Sequence, residues 1–300
     1  MPLPTTYFML LNCLYKPLWR LDNTHRLWCL KFNRKRSILA MRDSYEDIIV
    51  SLEGNVGLIE INRPPHNFFD HSLIRQIADA LDEFDQHVPC RSVVLAAKGK
   101  SFCAGAQFSQ ESNGEARYEL GSPAPLYVEA VRIFGAKKPI VAAIQGAAVG
   151  GGLGLALTAD FRVGCAESRF VANFTKLGFH PGFGLTVTLP RLIGQNSAEL
   201  MFYTSRRIKG EDAFKMGLIN EIVPQPEVLE ASIRLATEIA GCAPLGLLST
   251  RETLRGDLAE RIRIATEREL QEQTWLRDTH DFAEGVKAVS ERRPARFVGK

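Results

Sequence analysis

Apolar positions along the chain recur at two periods. Residues 47–52 and 56–61 are short runs rich in Ile, Val and Leu, separated by Glu53-Gly54-Asn55. Two such runs around a turn-rich connection predict a β-hairpin. From 71 to 86 the period lengthens: Leu73, Ile77, Leu81 and Phe84 recur at spacings of four, four and three, one apolar stripe on a helix. Residues 92–97 form a continuous apolar run and predict a buried strand, which ends in small residues from Gly99 to Ala106. Residues 109–125 hold Ser, Asn, Gly, Glu and two prolines and predict a surface loop. A helix over 126–136 leads to a further strand at 139–144. Pro139 sits at its first position, where a missing N–H matters least, and Ile140, Val141 and Ile144 are apolar and β-branched.

Gly146 breaks that strand. Gly150-Gly151-Gly152 follows, then a helix-compatible segment over 153–159. Beyond it the pattern predicts a strand at 161–166, a Gly-rich turn at 178–184, helices near 185–192, 196–204 and 211–216, and a strand at 219–223. From 227 onward everything reads helical: 227–240, 245–255, 258–277 and 281–292. Strand-loop-helix units followed by helices alone predict an α/β core with an appended helical domain. The division is 1–40 as an N-terminal extension, 41–226 as the core and 227–300 as the helical part. Leu229, Ile233, Ala236 and Ile239 form a stripe that reads as a contact surface for further copies of the chain.

Composition narrows the class. With 300 residues, 45% hydrophobic and 24% charged, the chain has material for a large core. The net charge of +3 is uneven: residues 1–40 carry seven Lys or Arg against Asp22, so the other 260 sum to −3. That balance gives no electrostatic footprint for nucleic acid. The apolar run 7–11 is too short to span a bilayer, with Lys16 and Arg20 close behind it. Three readings of 1–40 stand together: an organellar targeting peptide, a weakly ordered extension, and an upstream start before Met41. The six cysteines form no C-x-x-C pair and no zinc spacing, which reads as reduced, mostly buried thiols and a cytoplasmic setting, with organellar import through the basic extension as the alternative.

The chemistry lies in the two small-residue loops at strand ends, 104–106 and 150–152. A Gly run entering a helix lets a ligand approach backbone N–H groups at the positive end of the helix dipole. Taken alone the run reads equally as a tight turn. No G-x-G-x-x-G can be written through 146–157, and no Gly-Lys-Ser/Thr follows. Two backbone N–H groups converging on one carbonyl oxygen would make an oxyanion hole.

The run Ser101-Phe102-Cys103-Ala104-Gly105-Ala106, then Lys138 to Gly146 and Gly150-Gly151-Gly152, resembles the crotonase (enoyl-CoA hydratase/isomerase) superfamily. Ala159-Asp160-Phe161-Arg162, the 177–184 turn, Gly217-Leu218-Ile219 and Glu284-Gly285-Val286-Lys287 extend the resemblance over about 45–298. It implies a spiral of β-β-α turns with a C-terminal helical trimerisation domain. It also implies an acyl-CoA thioester as substrate, no separate cofactor, no membrane span, and a homotrimer or homohexamer. By motif position the oxyanion donors are the N–H groups of Ala106 and Gly151, and CoA lies against Ala104, Gln107 and Phe108.

The departures matter as much. The family's two catalytic glutamates fall on Gly154 and Phe174 here, and neither can transfer a proton. Gln107 stands where an aspartate is common. His180, in the second Gly-rich turn, has the side-chain chemistry for acid–base work near neutrality; it reads equally as a histidine that packs its turn. His66, His71, Tyr127, Glu129 and Arg292 read more simply as surface or packing residues. The implied function is therefore an enoyl-CoA hydratase/isomerase-type enzyme, lyase or isomerase. The alternatives are a non-catalytic acyl-CoA-binding homologue and a divergent acyl-CoA hydrolase or decarboxylase.

Overall fold

The structure is a computed structural model that describes residues 44–106 and 124–300. The expectations for residues 1–40, for Gln107 and Phe108 and for most of the 109–125 loop lie outside the described residues. A six-stranded sheet runs in the order β1 (Ile48–Glu53), β2 (Val56–Ile61), β3 (Ser92–Ala97), β4 (Ile140–Ile144), β6 (Phe161–Gly164), β9 (Glu221–Ile222). Only the β1–β2 hairpin is antiparallel; every later neighbour is parallel. A smaller sheet joins β5 (Ala147–Val149), β7 (Arg169–Val171) and β8 (Arg207–Lys209), and Cys103 bridges to Ala148 at its edge. Successive turns of chain thus give one strand to the large sheet and a short segment to the small one, the spiral the resemblance implies.

The hairpin, the 71–86 helix and the 92–97 strand fall where the pattern puts them. The small sheet was not legible. Its strands are three residues each, and β5 is Ala-Ala-Val between glycines, too short to show a period.

Alternation along the strands decides the layering. Val93, Leu95, Ile140, Ala142 and Ile144 face one core, with α1 (His71–Gln86) and α2 (Pro125–Phe134). Val94, Ala96, Val141, Ala143 and Val163 face the other, against α7 (Val228–Ala240). A parallel sheet covered on both faces carries near-continuous apolar strands, which is why 92–97 and 140–144 show no polar alternation. Of the stripe, Ala236 is buried against the chain's own sheet, while Leu229, Ile233 and Ile239 pack against the same core and stay partly buried. The remaining helices are α3 (Gly151–Ala156), α4 (Leu185–Ile193), α5 (Gln195–Thr204), α6 (Gly210–Lys215), α8 (Pro244–Arg255), α9 (Leu258–Leu276) and α10 (His280–Ser290).

One buried ion cluster pins β4, the strand that leads into the Gly run. Asp160 Oδ2 accepts from the Ile140 N–H at 2.8 Å and from Arg251 Nε at 3.0 Å, while Oδ1 accepts from Arg255 Nε at 3.0 Å. The same arginines donate to the carbonyls of Phe134 and Ala136 just past the end of α2, where a helix terminus favours cations. Burial pulls the Arg251 guanidinium down, opposed by Asp160. Asp160→Ala strands two largely buried arginines. It is expected to lower unfolding free energy by about 3–5 kcal/mol, read from urea denaturation; a loss under about 1 kcal/mol would mean that the cluster is not coupled to the fold.

Candidate functional site

Past β3 the chain enters the segment 98–106, which two side-chain amides hold. Asn67, wholly buried, donates to the Lys98 and Ser101 carbonyls at 2.8 Å each. Gln145 donates to the Ala97 carbonyl at 2.8 Å and to that of Ser101 at 3.2 Å. Residues 103–105 then lie between two neighbours. On one side the Cys103 N–H donates to Ala147 and Val149 donates back to Cys103; on the other Ala104 donates to His66 and Phe69 to Gly105.

The two small-residue loops meet at this crossing. A Cβ on Gly105, whose φ is 91°, would lie 2.8 Å from the Val149 carbonyl oxygen and 4.0 Å from the Gly151 nitrogen. A Cβ on Gly152 would lie 2.2 Å from the Cys103 oxygen, and one on Gly151 would lie 2.3 Å from Phe69 Cζ. Among the described residues, the N–H groups of Ala106 and Gly151 have no backbone acceptor. Gly151 opens α3, and the first N–H groups of a helix have no partner within it.

Aromatic rings wall the region beyond. Phe183 packs on Gly154 so closely that a Cβ there would lie 2.7 Å from Phe183 Cβ. Phe183 also meets Phe69 edge-on, with ring centroids 5.7 Å apart. Phe174 Cζ lies 3.8 Å from where a Gly150 Cβ would be. Positions 154 and 174 thus hold no proton carrier, and Phe183 fills the space a side chain at 154 would need. Phe183 has φ 63°, which costs a bulky residue of order 1–3 kcal/mol and persists only where surroundings enforce it. The Cys103 thiol, pushed up to about 12 by burial, is no nucleophile.

His180 is half-buried, and its Nδ1 lies 2.8 Å from the Pro181 carbonyl oxygen. A carbonyl only accepts, so Nδ1 carries the proton and Nε2 is left as the acceptor. The turn that carries it is held from α9. Gln273 Nε2 donates to the His180 carbonyl at 3.0 Å, and Gln273 Oε1 accepts from the Tyr127 hydroxyl at 2.8 Å. One helical turn earlier, Glu269 is 1% exposed and accepts from the Gly184 N–H at 2.8 Å, the Thr186 N–H at 3.2 Å and the Thr186 hydroxyl at 2.6 Å. Burial pushes its carboxyl up to about 7, opposed by those donors. Burial, then the Glu269 charge, holds the Tyr127 phenol above its usual range.

Of the other expected positions, Ala104 is at the crossing, while His66 is exposed on the neighbouring segment. His71 Nε2 lies 3.9 Å from Glu129, which also pairs with Arg132, and Arg292 is exposed beyond α10. Sequence reasoning passed over Asn67, Phe69, Phe183, Glu269 and Gln273. A signal existed for the last two: Ile262, Thr266, Glu269 and Gln273 recur at four, three and four, and all are buried, so a glutamate sits on the core face of α9.

The description of the enoyl-CoA hydratase/isomerase family matches residues 51–300. The crotonyl-CoA hydratase of Syntrophomonas wolfei is 31% identical over 262 residues, 86% of this chain and 100% of that protein. A putative enoyl-CoA hydratase of Thermus thermophilus is 33% identical over 82% of this chain and 98% of its own length. Among solved structures, a carnitinyl-CoA hydratase from Mycobacterium avium superposes with a TM-score of 0.75 at 30% identity, covering 86% of this chain and 100% of that one. A match along five-sixths of the sequence, over the spiral and both loops of the crossing, places the chain in the enoyl-CoA hydratase/isomerase family.

Proposed function

We propose that the chain is an acyl-CoA enzyme of hydratase/isomerase type whose oxyanion hole is the N–H pair of Ala106 and Gly151. The close crossing of the two loops, with neither N–H bonded to a backbone acceptor among the described residues, carries this reading. In that pocket a thioester oxygen would accept from both, and charge developing on it as an enolate or tetrahedral adduct forms would meet fixed dipoles. Ala104, Gln107 and Phe108, on the same loop, would take the CoA moiety. His180 is the proposed proton carrier: Pro181 fixes its tautomer, and Nε2 is left to take a proton.

The second reading, a binding homologue without turnover, is favoured by Gly154 and Phe174, where the family's carboxylates are missing. Hydrolysis and decarboxylation use the same oxyanion chemistry and remain within the first reading. A panel of acyl-CoA thioesters, with products followed by mass spectrometry, separates the two: turnover of at least one thioester is expected, and binding without any turnover would leave the second reading standing.

The Gly151 donor needs a double variant to test. A ring at 151 would strike Phe69, so Gly151→Pro is made in a Phe69→Ala background, with Phe69→Ala alone as control. Loss of the N–H is expected to lower turnover about 10²–10³-fold against that control; equal rates in folded proteins would remove Gly151 from the site.

His180→Gln keeps much of the size and the hydrogen bonding but does not titrate near neutrality. A rate at least about tenfold lower is expected, together with loss of one limb of the pH–rate profile. An unchanged profile would make the histidine structural.

A homotrimer or dimer of trimers belongs to the same reading. Its support is the partly covered α7 stripe together with exposed apolar residues on the later helices, Leu245, Leu254 and Trp275, at 76%, 72% and 56%. Light scattering at micromolar concentration is expected to give three or six times the 33.4 kDa chain mass; a monomer would refute it.

A further inference from the structure

Glu269 reaches the aromatic wall of the candidate site through a chain of direct contacts, although it lies 85 residues beyond Gly184. Its two oxygens take the Gly184 N–H, the Thr186 N–H and the Thr186 hydroxyl, the first donors of α4. Gly184 is the N-cap of α4 in left-handed conformation, and the residue before it, Phe183, is left-handed as well. Glu269 therefore grips the backbone at the point where the chain is forced to hold a bulky residue at positive φ. That residue is the one that fills the space over Gly154 and stands edge-on to Phe69, whose ring covers Gly151. A line of contacts runs from the carboxylate through Gly184, Phe183 and Phe69 to Gly151.

We propose that Glu269 is a positioning residue for the oxyanion site: by holding Gly184 and Thr186 it presses Phe183 against Gly154 and Phe69, and so fixes the Gly151 N–H. The proposal rests on the reading of Ala106 and Gly151 as the oxyanion donors. Glu269 touches no substrate in it.

The chemistry makes the grip protonation-dependent. A carboxylate accepts at both oxygens. Protonation removes the charge, so the bonds from Gly184 and Thr186 change from charge-assisted to neutral and weaken, and the Thr186 hydroxyl has to turn to accept from the new O–H. Burial pushes the carboxyl up to about 7, opposed by the Thr186 hydroxyl and the Gly184 and Thr186 N–H groups. The groups facing it are Gly184 and Thr186 from α4 and the Tyr127 hydroxyl from α2, which stays neutral. Arg277, on its own helix, acts on Tyr127 and stacks over Phe179. The sign follows: the grip is complete above about pH 7, where Glu269 is charged, and weakens as pH falls through that value.

The test uses butyryl-CoA labelled with ¹³C at its thioester carbonyl, bound to the full chain and followed by difference infrared spectroscopy. An oxyanion hole polarises the carbonyl and moves its stretch to lower frequency. Absence of a low-frequency band in the wild type at every pH refutes the oxyanion reading itself. With the band present, it is expected to fade on acidification with a midpoint near 7. Glu269→Gln, whose amide is neutral at every pH and offers one acceptor oxygen in place of two, is expected to show the weakened band at pH 8 and no titration. Thr186→Ala removes a donor that favours the charged form, so it is expected to move the midpoint upward; a titration belonging to His180 would stay where it is. A folded Glu269→Gln protein with the wild-type band at pH 8, or a midpoint that Thr186→Ala leaves unmoved, overturns the proposal. Where Glu269→Gln fails to fold, the Thr186→Ala midpoint alone decides.

Discussion

Two stretches of backbone, 103–106 and 148–152, pass so closely that neither tolerates a side chain on the facing residues. A Cβ at Gly105 or Gly152 would be driven to within 3 Å of a carbonyl oxygen of the other stretch. The approach is held by hydrogen bonds on both flanks, to Ala147 and Val149 on one side and to His66 and Phe69 on the other. Asn67 and Gln145 fasten the segment that feeds it. The rest of the site depends on this crossing. Backbone donors can be aimed at one point only if the chain around them is immobile, and each surrounding bond removes a degree of freedom. The Asp160 cluster serves the same end at longer range, since it sets where β4 begins and therefore where the Gly run starts.

The fold was legible where periods are long. The stripe of α1 and the apolar runs of β3 and β4 each specify an element without help, because burial on a fixed face repeats over several residues. The three-residue strands of the small sheet carry no period, and their pairing is set by long-range partners such as Phe170 opposite Ile208. The α7 stripe shows a further limit. An amphipathic face reveals that something covers it and not what: Ala231 and Ala236 pack on the chain's own strands, where sequence alone reads equally as a surface for another copy.

The site divides the same way. Both loops of the crossing were visible as runs of small residues at strand ends, since close approach of backbones excludes Cβ atoms and so leaves a mark in composition. Phe183 over Gly154, and Glu269 under Gly184, left no such mark. Their partners are 29 and 85 residues away, and nothing in a local window says that a phenylalanine between two glycines is held at positive φ. The single trace was a glutamate on the buried face of α9, a position where an unpaired charge is costly unless several donors meet it.

An aromatic wall and an oxyanion hole are compatible, and their combination restricts where protons can move. If Ala106 and Gly151 are the oxyanion donors proposed, apolar rings around Gly151 would lower the local dielectric and strengthen the pull of the two N–H dipoles on a developing negative charge. The same rings would penalise a carboxylate placed among them, raising its pKa until it no longer holds a charge at neutral pH. A site lined this way therefore keeps its electrostatic stabilisation and loses its embedded acids together. In the proposed reading, proton transfer then falls to a group outside those rings and fixed enough to aim. The proposed carrier, His180, is half-buried, its Nδ1 is tied to Pro181, and its carbonyl is tied through Gln273 to α9. The helix that holds this histidine, α9, also carries Glu269, so one element grips both the turn of the proposed proton carrier and the backbone under Phe183, from positions four residues apart.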